Sequence, residues 1–276
     1  MKMFDKVVII GTGLIGGSMG LAIKNKHLAG SVTGLSRHQR NANLAKKIGA
    51  IDIIGKNLDV VRDADLIILA TPPEAIIDIA LKIKGRLKKD CIVIDVGSVK
   101  EKVVAKLNSC FPNFVGCHPL AGSEKKGVAN LESDIFTGTI CIITPVVSTN
   151  KKVLNKIKVF WAKLGAKLII ISPKQHDQAL GHTSHLPHAV AFALINSIPE
   201  KFFGLSSSGL KDTTRISGSG PDLWSQIFLS NRNNLLCAIS SFQKKIERLK
   251  LALENKDKKL LVKIIKSSNR KREKLG

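Results

Sequence analysis

The chain contains no tyrosine, and aromatic residues make up only 4% of its 276 residues. Acidic residues are also scarce: 21 Asp and Glu stand against 44 Lys and Arg, which gives a formal net charge of +23. Such a balance is typical of proteins that bind nucleic acid, anionic membrane surfaces or anionic small molecules. The scarcity of aromatic rings argues against single-stranded nucleic acid, because bases would find few stacking platforms. The charge therefore favours a lysine-rich solvated surface that attracts anionic metabolites.

Cysteines are few, and long uncharged runs are nearly absent. The five cysteines are odd in number and contain no C-x-x-C pair, which argues against a disulfide framework or a structural zinc site and for a reducing cytoplasm. Val7–Ile23 is free of charge and resembles a signal-peptide core, but it carries five glycines and would make a poor membrane helix. No other uncharged run approaches the roughly 20 residues that a bilayer span needs. We therefore expect a cytoplasmic protein with no membrane partner.

The first 170 residues alternate β-branched runs with helical patterns, which predicts a parallel sheet covered by helices on both faces. The predicted strands are Lys6–Ile10, Ser31–Leu35, Ala64–Ala70, Cys91–Val96, Phe114–Cys117, Gly138–Thr144 and Leu168–Ile171. The predicted helices between them are Leu14–Lys26, a run that ends at Ile48, Glu74–Leu87 and Lys100–Cys110.

Beyond Ser172-Pro173 the strand-like runs stop. Lys174–Ser197, Leu223–Leu253 and Lys258–Ser268 have apolar residues at helical spacing. We predict two domains, an α/β domain over residues 1–171 and an all-α domain over 172–276. A small helical module often stabilises itself by association, so the apolar stripe on its longest predicted helix packs within the domain or against a second subunit.

A glycine-rich turn follows the first predicted strand. Gly11-Thr12-Gly13-Leu14-Ile15-Gly16 is a G-x-G-x-x-G motif between a strand and a helix. The glycines allow a tight turn, a close approach of a pyrophosphate and close helix–strand packing, while the helix N-terminus supplies N–H donors. The motif predicts a Rossmann-type doubly wound sheet that binds NAD or NADP. Thr71-Pro72 ends another strand at the same edge, and we include both residues in the cofactor site.

The residues after the second strand bear on the choice of cofactor. NAD-binding proteins usually carry an acidic residue there for the ribose hydroxyls, but this chain has Ser36-Arg37-His38. A hydroxyl and a guanidinium would bind a 2′-phosphate that a carboxylate would repel. The pattern favours NADP over NAD. The alternative is an exposed basic loop, with NAD bound through other contacts.

Two further strands are followed by residues suited to catalysis. Ser98 follows the strand that ends near Val96, and it either donates to a ligand or caps the next helix. His118 follows Phe114–Cys117 and titrates near neutrality, which suits a general base, although a structural histidine is an equal alternative.

Histidines recur at a spacing of three in the first predicted helix after Pro173. His182, His185 and His188 either bind a metal or hydrogen-bond an anionic substrate, and the lack of a metal-binding pattern favours the second. Arg215 can bind a carboxylate through two hydrogen bonds. Asp212 is placed to orient Arg215 or a neighbouring histidine. Trp224 either forms a pocket wall or packs in the core, where tryptophan is found more often.

Taken together, these motifs resemble the prephenate/arogenate dehydrogenase family of tyrosine biosynthesis, from the glycine-rich loop to about Trp224. The motifs that carry the resemblance are Gly11–Ser18, Asp95–Lys100, His118–Glu124, His176-Asp177, Ser184–His188 and Lys211–Arg215. The resemblance implies oxidative decarboxylation of prephenate to 4-hydroxyphenylpyruvate and a homodimer formed through the helical domain. It also implies that His118 is the catalytic base and that Ser98 holds the reacting hydroxyl. His185, His188 and Arg215 would bind the dicarboxylate substrate.

Two positions depart from the family pattern: Ser36-Arg37 replaces the ribose-binding acid, and His182 lies outside the motif. A chain of this length has no room for a fused mutase or regulatory domain, so we expect the monofunctional form. Arogenate oxidation is the first alternative, and a β-hydroxyacid or imine dehydrogenase is a weaker one. A non-catalytic nucleotide- or nucleic-acid-binding protein would draw its support from the nine Lys and Arg residues between positions 256 and 274.

Overall fold

The computed structural model of the chain describes residues 2–121 and 131–275. Within these ranges, eight strands form one sheet. In chain order they are β1 (Phe4–Ile10), β2 (Ala29–Leu35), β3 (Ile53–Ile54), β4 (Leu66–Leu69), β5 (Ile92–Asp95), β6 (Phe114–Pro119), β7 (Ile140–Thr144) and β8 (Lys167–Ile170). The sequence analysis predicted all of them except β3, which is only two residues long and too short to carry a periodic signal.

The strand order places a crevice beside β1. Across the sheet the order is β3-β2-β1-β4-β5-β6-β7-β8, and β1 pairs in parallel with both β2 and β4. The chain therefore builds one side of the sheet from β1, then returns to β1 and builds the other. Doubly wound sheets bind ligands outside the carboxyl ends of the strands at this switch point. The predicted Rossmann-type fold followed by a helical region is confirmed.

One part of the sheet differs from the expectation of an all-parallel arrangement. β7 runs antiparallel to β6, with His118 opposite Ile142, whereas β8 pairs with β7 in parallel. A parallel neighbour needs a crossover connection, usually a helix. The described residues between β6 and β7, which are 120–121 and 131–139, form no helix. The prediction was wrong here because a run of apolar residues carries no information about strand direction.

Helices cover both faces of the sheet, as predicted. They are α1 (Leu14–Asn25), α2 (Gln39–Lys47), α3 (Pro73–Ile83), α4 (Glu101–Asn108) and α5 (Lys151–Lys163). Successive residues of β1 point to opposite faces, so Ile9 packs in one core with Met19 while Val8 packs in the other with Ile76. Two separate cores result, which explains the continuous apolar runs of these strands.

The region after Ser172 is helical. Its α-helices are α6 (Pro173–Leu180), α7 (Leu186–Asn196), α8 (Ser208–Thr214), α9 (Pro221–Ser230), α10 (Arg232–Glu254) and α11 (Lys258–Glu273). None of the helices in the described residues is long and apolar enough to cross a membrane.

Two predicted helices of this region are interrupted. A π-helical turn, Gly181–His185, separates α6 from α7 just before Pro187. Proline clashes with the carbonyl four residues before it, and a wider turn relieves that clash. The second break is at Asn231, whose φ of −108° and ψ of 28° separate α9 from α10. Both breaks lie beside the candidate active site.

Candidate active site

A cavity of about 730 Å³ opens at the carboxyl ends of β1, β2 and β4. It lies where the glycine-rich motif predicts the dinucleotide. Seven of the ten residues predicted to bind the cofactor line it: Gly11, Thr12, Gly13, Ser36, Arg37, Thr71 and Pro72. Leu14, Ile15 and Gly16, which begin α1, are not among its lining residues.

Each glycine of this turn has a different structural role. Gly11 has a φ of +101°, and a Cβ there would lie 2.4 Å from the carbonyl oxygen of Ala70. A Cβ on Gly16 would lie 2.0 Å from the carbonyl oxygen of Gly11, so any side chain would force the helix away from the turn. A Cβ on Gly13 would meet nothing within 4 Å. Gly13 therefore leaves open space at the start of α1.

Polar atoms at this cavity fit a dinucleotide. The hydroxyl oxygens of Thr12 and Thr71 and the amide oxygen of Gln226 are buried without a hydrogen-bond partner, and all three residues line the cavity. Gly13 is the N-cap of α1 and has no side chain to cap it, so the first N–H groups of the helix are left for an anion. Such unpaired groups are costly unless a ligand satisfies them.

The wall at the end of β2 is basic. Ser36, Arg37 and His38 line it, and the Ser36 hydroxyl accepts a 3.4 Å hydrogen bond from the backbone N–H of His38. Two carboxylates, Glu74 and Asp222, lie on other walls of the same cavity.

A second cavity of about 550 Å³ adjoins the first, because Leu223 lines both. All five residues predicted to contact the substrate or to act in catalysis line this second cavity: Ser98, His118, His185, His188 and Arg215. Trp224, predicted as a wall, also lines it. Residues from the sequence motifs of both halves of the chain therefore line the same cavity.

A chain of hydrogen bonds leads from Asp177 through two imidazoles to this cavity. His176 Nδ1 lies 2.7 Å from Asp177 Oδ1, and His118 Nδ1 lies 2.8 Å from His176 Nε2. A carboxylate only accepts hydrogen bonds, so the proton of His176 lies on Nδ1 and its bare Nε2 accepts from His118. The neutral His118 ring is then left with a bare Nε2 at the cavity that it lines.

The charge state of these groups supports that arrangement. Burial lowers the pKa of His118 well below its ordinary value, and the neighbouring His176 and Lys100 lower it further. Burial raises the pKa of Asp177, but the hydrogen bonds from His176 and from two backbone N–H groups outweigh burial, so that its pKa is lowered. At neutral pH, Asp177 is therefore ionised and His118 is a neutral base.

Asp177 also joins the two halves of the chain. Its Oδ1 and Oδ2 accept hydrogen bonds of 2.8 Å each from the backbone N–H groups of Lys100 and Glu101. These groups begin α4, so a carboxylate from the helical half caps a helix of the sheet half. Ser98 is consequently not the N-cap of α4, which is Lys100. The alternative of a capping role for Ser98 was wrong, and its side chain remains available to the cavity.

A buried ion pair lies beneath the site. Lys100 Nζ bonds to Asp95 Oδ2, and both side chains are fully buried. The Lys100 ammonium also donates a 3.2 Å hydrogen bond to the carbonyl oxygen of Val99. A fully buried lysine is held only by such pairing, so the pair fixes the loop that carries Ser98.

The two histidines of the π-turn and α7 are held differently. The buried His185 ring accepts through Nδ1 from the Asn231 side chain at 3.0 Å, and burial lowers its pKa to about 4. His188 stacks on Trp224 with ring centroids 3.4 Å apart and donates from Nδ1 to the carbonyl oxygen of Ser184. Burial lowers the pKa of His188, and the guanidinium of Arg215 lowers it further.

Some of the residues and sites predicted from the sequence are not found at this cavity. His182 and Asp212 are exposed and do not line the cavity. In the described residues, no group of three or more His, Cys, Asp or Glu side chains is arranged to hold a metal ion. The end of the His118–Glu124 motif, residues 122–124, lies outside the described residues.

Sequence reasoning noted His176-Asp177 as a motif but assigned it no role, and it missed Asn231. The signal for the first pair was its position directly after a capping box, Ser172 to Gln175, which fixes the start of α6. No local pattern marks Asn231, because the two groups to which its amide donates lie 46 and 54 residues away in the sequence.

Comparisons with known proteins agree with this geometry. Residues 19–170 match the family model described as the prephenate dehydrogenase nucleotide-binding domain, and residues 172–267 match the prephenate dehydrogenase dimerization domain. The chain is 31% identical to prephenate dehydrogenase from Bacillus subtilis, over 97% of this chain and 75% of the relative. It is 32% identical to cyclohexadienyl dehydrogenase from Zymomonas mobilis, over 99% of this chain and 96% of the relative.

A solved structure is also similar over nearly the whole length. It is prephenate dehydrogenase from A. aeolicus in complex with hydroxyphenyl propionate and NAD+, and it matches with a TM-score of 0.93 and 35% sequence identity. The match covers 99% of this chain and 98% of that structure. On these matches to both halves of the chain, the protein belongs to the prephenate dehydrogenase family.

Proposed function

We propose that the protein oxidises prephenate to 4-hydroxyphenylpyruvate and carbon dioxide while it reduces one NAD(P)+. The observation that carries this proposal is the hydrogen-bonded series from Asp177 through His176 to His118, which ends in a cavity beside the dinucleotide cavity. Relatives named as prephenate dehydrogenases support the substrate.

His118 is the catalytic base of this proposal. Its Nε2 accepts the proton of the ring 4-hydroxyl, and the positive charge that develops on the imidazole is stabilised through His176 by Asp177. Ser98 lines the same cavity and holds the hydroxyl in position by a hydrogen bond. When bound, the nicotinamide accepts the hydride from the carbon that bears this hydroxyl, and loss of carbon dioxide makes the ring aromatic.

The substrate carries two carboxylates, and the described walls of the cavity supply their donors. Arg215 binds one carboxylate through its guanidinium. His185 supplies a further N–H donor, and His188, whose Nδ1–H is used by the Ser184 carbonyl oxygen, presents its Nε2, which donates when the ring is protonated. The imidazole rings are held in place by Asn231 and Trp224, so that little rotational freedom is lost when the substrate binds.

For the dinucleotide, Gly11, Thr12 and Gly13 hold the pyrophosphate against the start of α1. Thr71 and Pro72 form the opposite wall. The finer preference that we propose is NADP over NAD. It rests on Ser36 and Arg37 at the end of β2, where the 2′-phosphate would lie.

We further propose that residues 1–171 bind the dinucleotide and that 172–276 bind substrate and form a homodimer. The match of residues 172–267 to a family model described as a dimerization domain supports this division. An apolar groove of about 600 Å³ between α7 and α10 also supports it, because its lining contains no charged side chain.

A spectrophotometric assay tests the proposal directly. Purified protein is mixed with prephenate or arogenate, each with NAD+ or NADP+, and the absorbance of the reduced nicotinamide is followed. We expect the highest kcat/KM for prephenate with NADP+. The relative named cyclohexadienyl dehydrogenase makes arogenate the second candidate substrate. Absence of reduction in all four mixtures would refute the enzyme function, and salt-sensitive DNA binding without turnover would favour the non-catalytic alternative.

A further inference from the structure

Asn231 lies at the break between α9 and α10, and its side-chain amide has a single possible orientation. The Nδ2 group lies 2.7 Å from the carbonyl oxygen of Asp177, which can only accept a hydrogen bond. The Oδ1 atom accepts a 2.8 Å hydrogen bond from Asn234 Nδ2. Exchange of the two ends of the amide would place oxygen against oxygen and nitrogen against nitrogen. The identity of each amide atom is therefore fixed by its partners.

This orientation determines where the proton of His185 lies. One N–H of Asn231 is used by Asp177, and the other points to His185 Nδ1 at 3.0 Å. The Nδ1 atom must accept that hydrogen bond, so it carries no proton. The proton of the neutral ring then lies on Nε2.

The surroundings keep His185 in that state. Its side chain is only 1% exposed, and Trp224 contacts the ring edge-to-face with centroids 6.1 Å apart. Protonation of Nδ1 would direct two donors at each other, at His185 and Asn231. Burial independently opposes a charge on this ring, since it lowers the pKa to about 4.

An Nε2–H group has consequences for what the cavity accepts. It donates one hydrogen bond and accepts none, and the guanidinium of Arg215 is likewise only a donor. None of the described residues that line the cavity is an aspartate or a glutamate. A carbonyl or carboxylate oxygen of a substrate side chain that lies against His185 Nε2 and Arg215 is satisfied by these donors, whereas an ammonium group in the same position would meet two donors.

We propose that Asn231 is a positioning residue that holds His185 as an Nε2–H donor and thereby selects a 2-oxo acid side chain over a 2-amino acid side chain. The proposal rests on the proposed function, because prephenate and arogenate differ only in this group. Asn231 lies behind the histidine and not in the lining of the cavity. Asn231 therefore affects substrate specificity through the position of the proton on His185.

The variant Asn231→Asp tests the proposal. A carboxylate accepts hydrogen bonds, so it would draw the His185 proton to Nδ1 and leave Nε2 as an acceptor for an ammonium. We expect the ratio of kcat/KM for prephenate to that for arogenate to fall at least about tenfold, the scale of one mismatched buried hydrogen bond. Asn233→Asp, two residues along α10, makes the same charge change on an exposed side chain and should leave the ratio unchanged.

A spectroscopic readout separates this proposal from the proposed function. Long-range proton–nitrogen correlation spectra of histidine-labelled protein report which ring nitrogen is protonated, and His185→Gln identifies the His185 signals. We expect the proton on Nε2 in the native chain and on Nδ1 in Asn231→Asp. A native proton on Nδ1, or an unchanged substrate ratio after the proton has moved, would overturn the proposal. If the native chain oxidises neither substrate, the proposed function fails, while a native Nε2–H that moves in the variant still supports the positioning role.

Discussion

The two halves of the chain bury their apolar residues to different extents. All four residues of β4 are buried, and so are five of the seven in β1. By contrast, α7 is as apolar in sequence, yet Ala191 is its only fully buried residue. The sheet half completes two cores of its own, whereas the helical half presents one side of a core. A half-built core of this kind gains stability from a second surface.

The halves also differ in the chemistry they supply. The sheet half contributes His118, the proposed base, together with Ser98 and the cavity in which we propose that the dinucleotide binds. The helical half contributes the groups that we propose hold the substrate, and it contributes His176 and Asp177, whose hydrogen bonds set the protonation of His118. Neither half has a complete site. Four variants test whether the two halves have these separate roles, in order of decreasing expected effect.

His118→Asn removes the proposed base from the sheet half and leaves a smaller polar side chain. We expect kcat to fall by about 10²–10⁴, the usual contribution of general base catalysis. Because burial lowers the pKa of His118, the acidic limb of the pH profile of kcat/KM should lie below pH 6.5 in the native enzyme. His182→Asn changes an exposed histidine and should have no effect. Steady-state kinetics across pH measure both, and a near-native kcat for His118→Asn would demote His118 to a structural role.

Val190→Asp places a charge in the groove between α7 and α10. If a second copy covers this groove, a buried unpaired carboxylate should weaken the dimer by on the order of 10²-fold or more. Val159→Asp is the matched control, because it makes the same change on the exposed side of α5, where Val159 is 50% exposed. Sedimentation velocity should show a monomer for the first variant and a dimer for the second. If the two variants sediment alike, the proposal that a second copy covers this groove is contradicted.

Arg215→Ala removes a guanidinium that the helical half presents to the substrate cavity. We expect KM to rise on the order of ten- to a hundredfold, the scale of a hydrogen bond to a charged group, with a smaller change in kcat. Arg232→Ala, at the start of α10 and away from this cavity, should leave both parameters near native values. An unchanged KM for Arg215→Ala would exclude it from substrate binding.

Ser36→Asp restores a carboxylate at the end of β2. It should shift the ratio of kcat/KM from NADP+ toward NAD+ by roughly tenfold, because a carboxylate repels a 2′-phosphate and binds ribose hydroxyls. Asn43→Asp adds the same charge on the exposed side of α2 as a control. Fluorescence titrations with each reduced cofactor give the same comparison without turnover. A constant ratio would refute the assignment of Ser36.

Much of this architecture could be predicted from local sequence. The glycine-rich turn and the apolar runs specify strands and helices through neighbouring residues, so β1, β2, β4 and β5 were predicted within about two residues at each end. His118 was found because it follows a strand at the crevice edge. Local patterns of this kind depend on side-chain periodicity and backbone sterics, which act over a few residues.

The remaining features depend on contacts between distant residues. The direction of β7 is set by its pairing with β6, and no residue within the strand encodes it. Asp177 caps α4 from 76 and 77 residues away, which no capping pattern in the sequence could reveal. The proton of His185 depends on Asn231 in the same way. Sequence motifs therefore predicted which groups line the candidate site, while the orientation and protonation of those groups came from tertiary structure.

The buried imidazoles of the site have a further consequence, for the stability of the fold in acid. Folding lowers the pKa of His118, His176, His185 and His188 below 6.5. Their contribution to stability is therefore present above pH 6.5, where folded and unfolded chains are both neutral, and is lost as the pH falls toward the folded values. For His185, with a folded pKa of about 4, complete protonation would remove on the order of 3 kcal/mol from the free energy of unfolding. The burial that keeps His118 neutral at pH 7 thus also makes the junction of the two halves sensitive to acid.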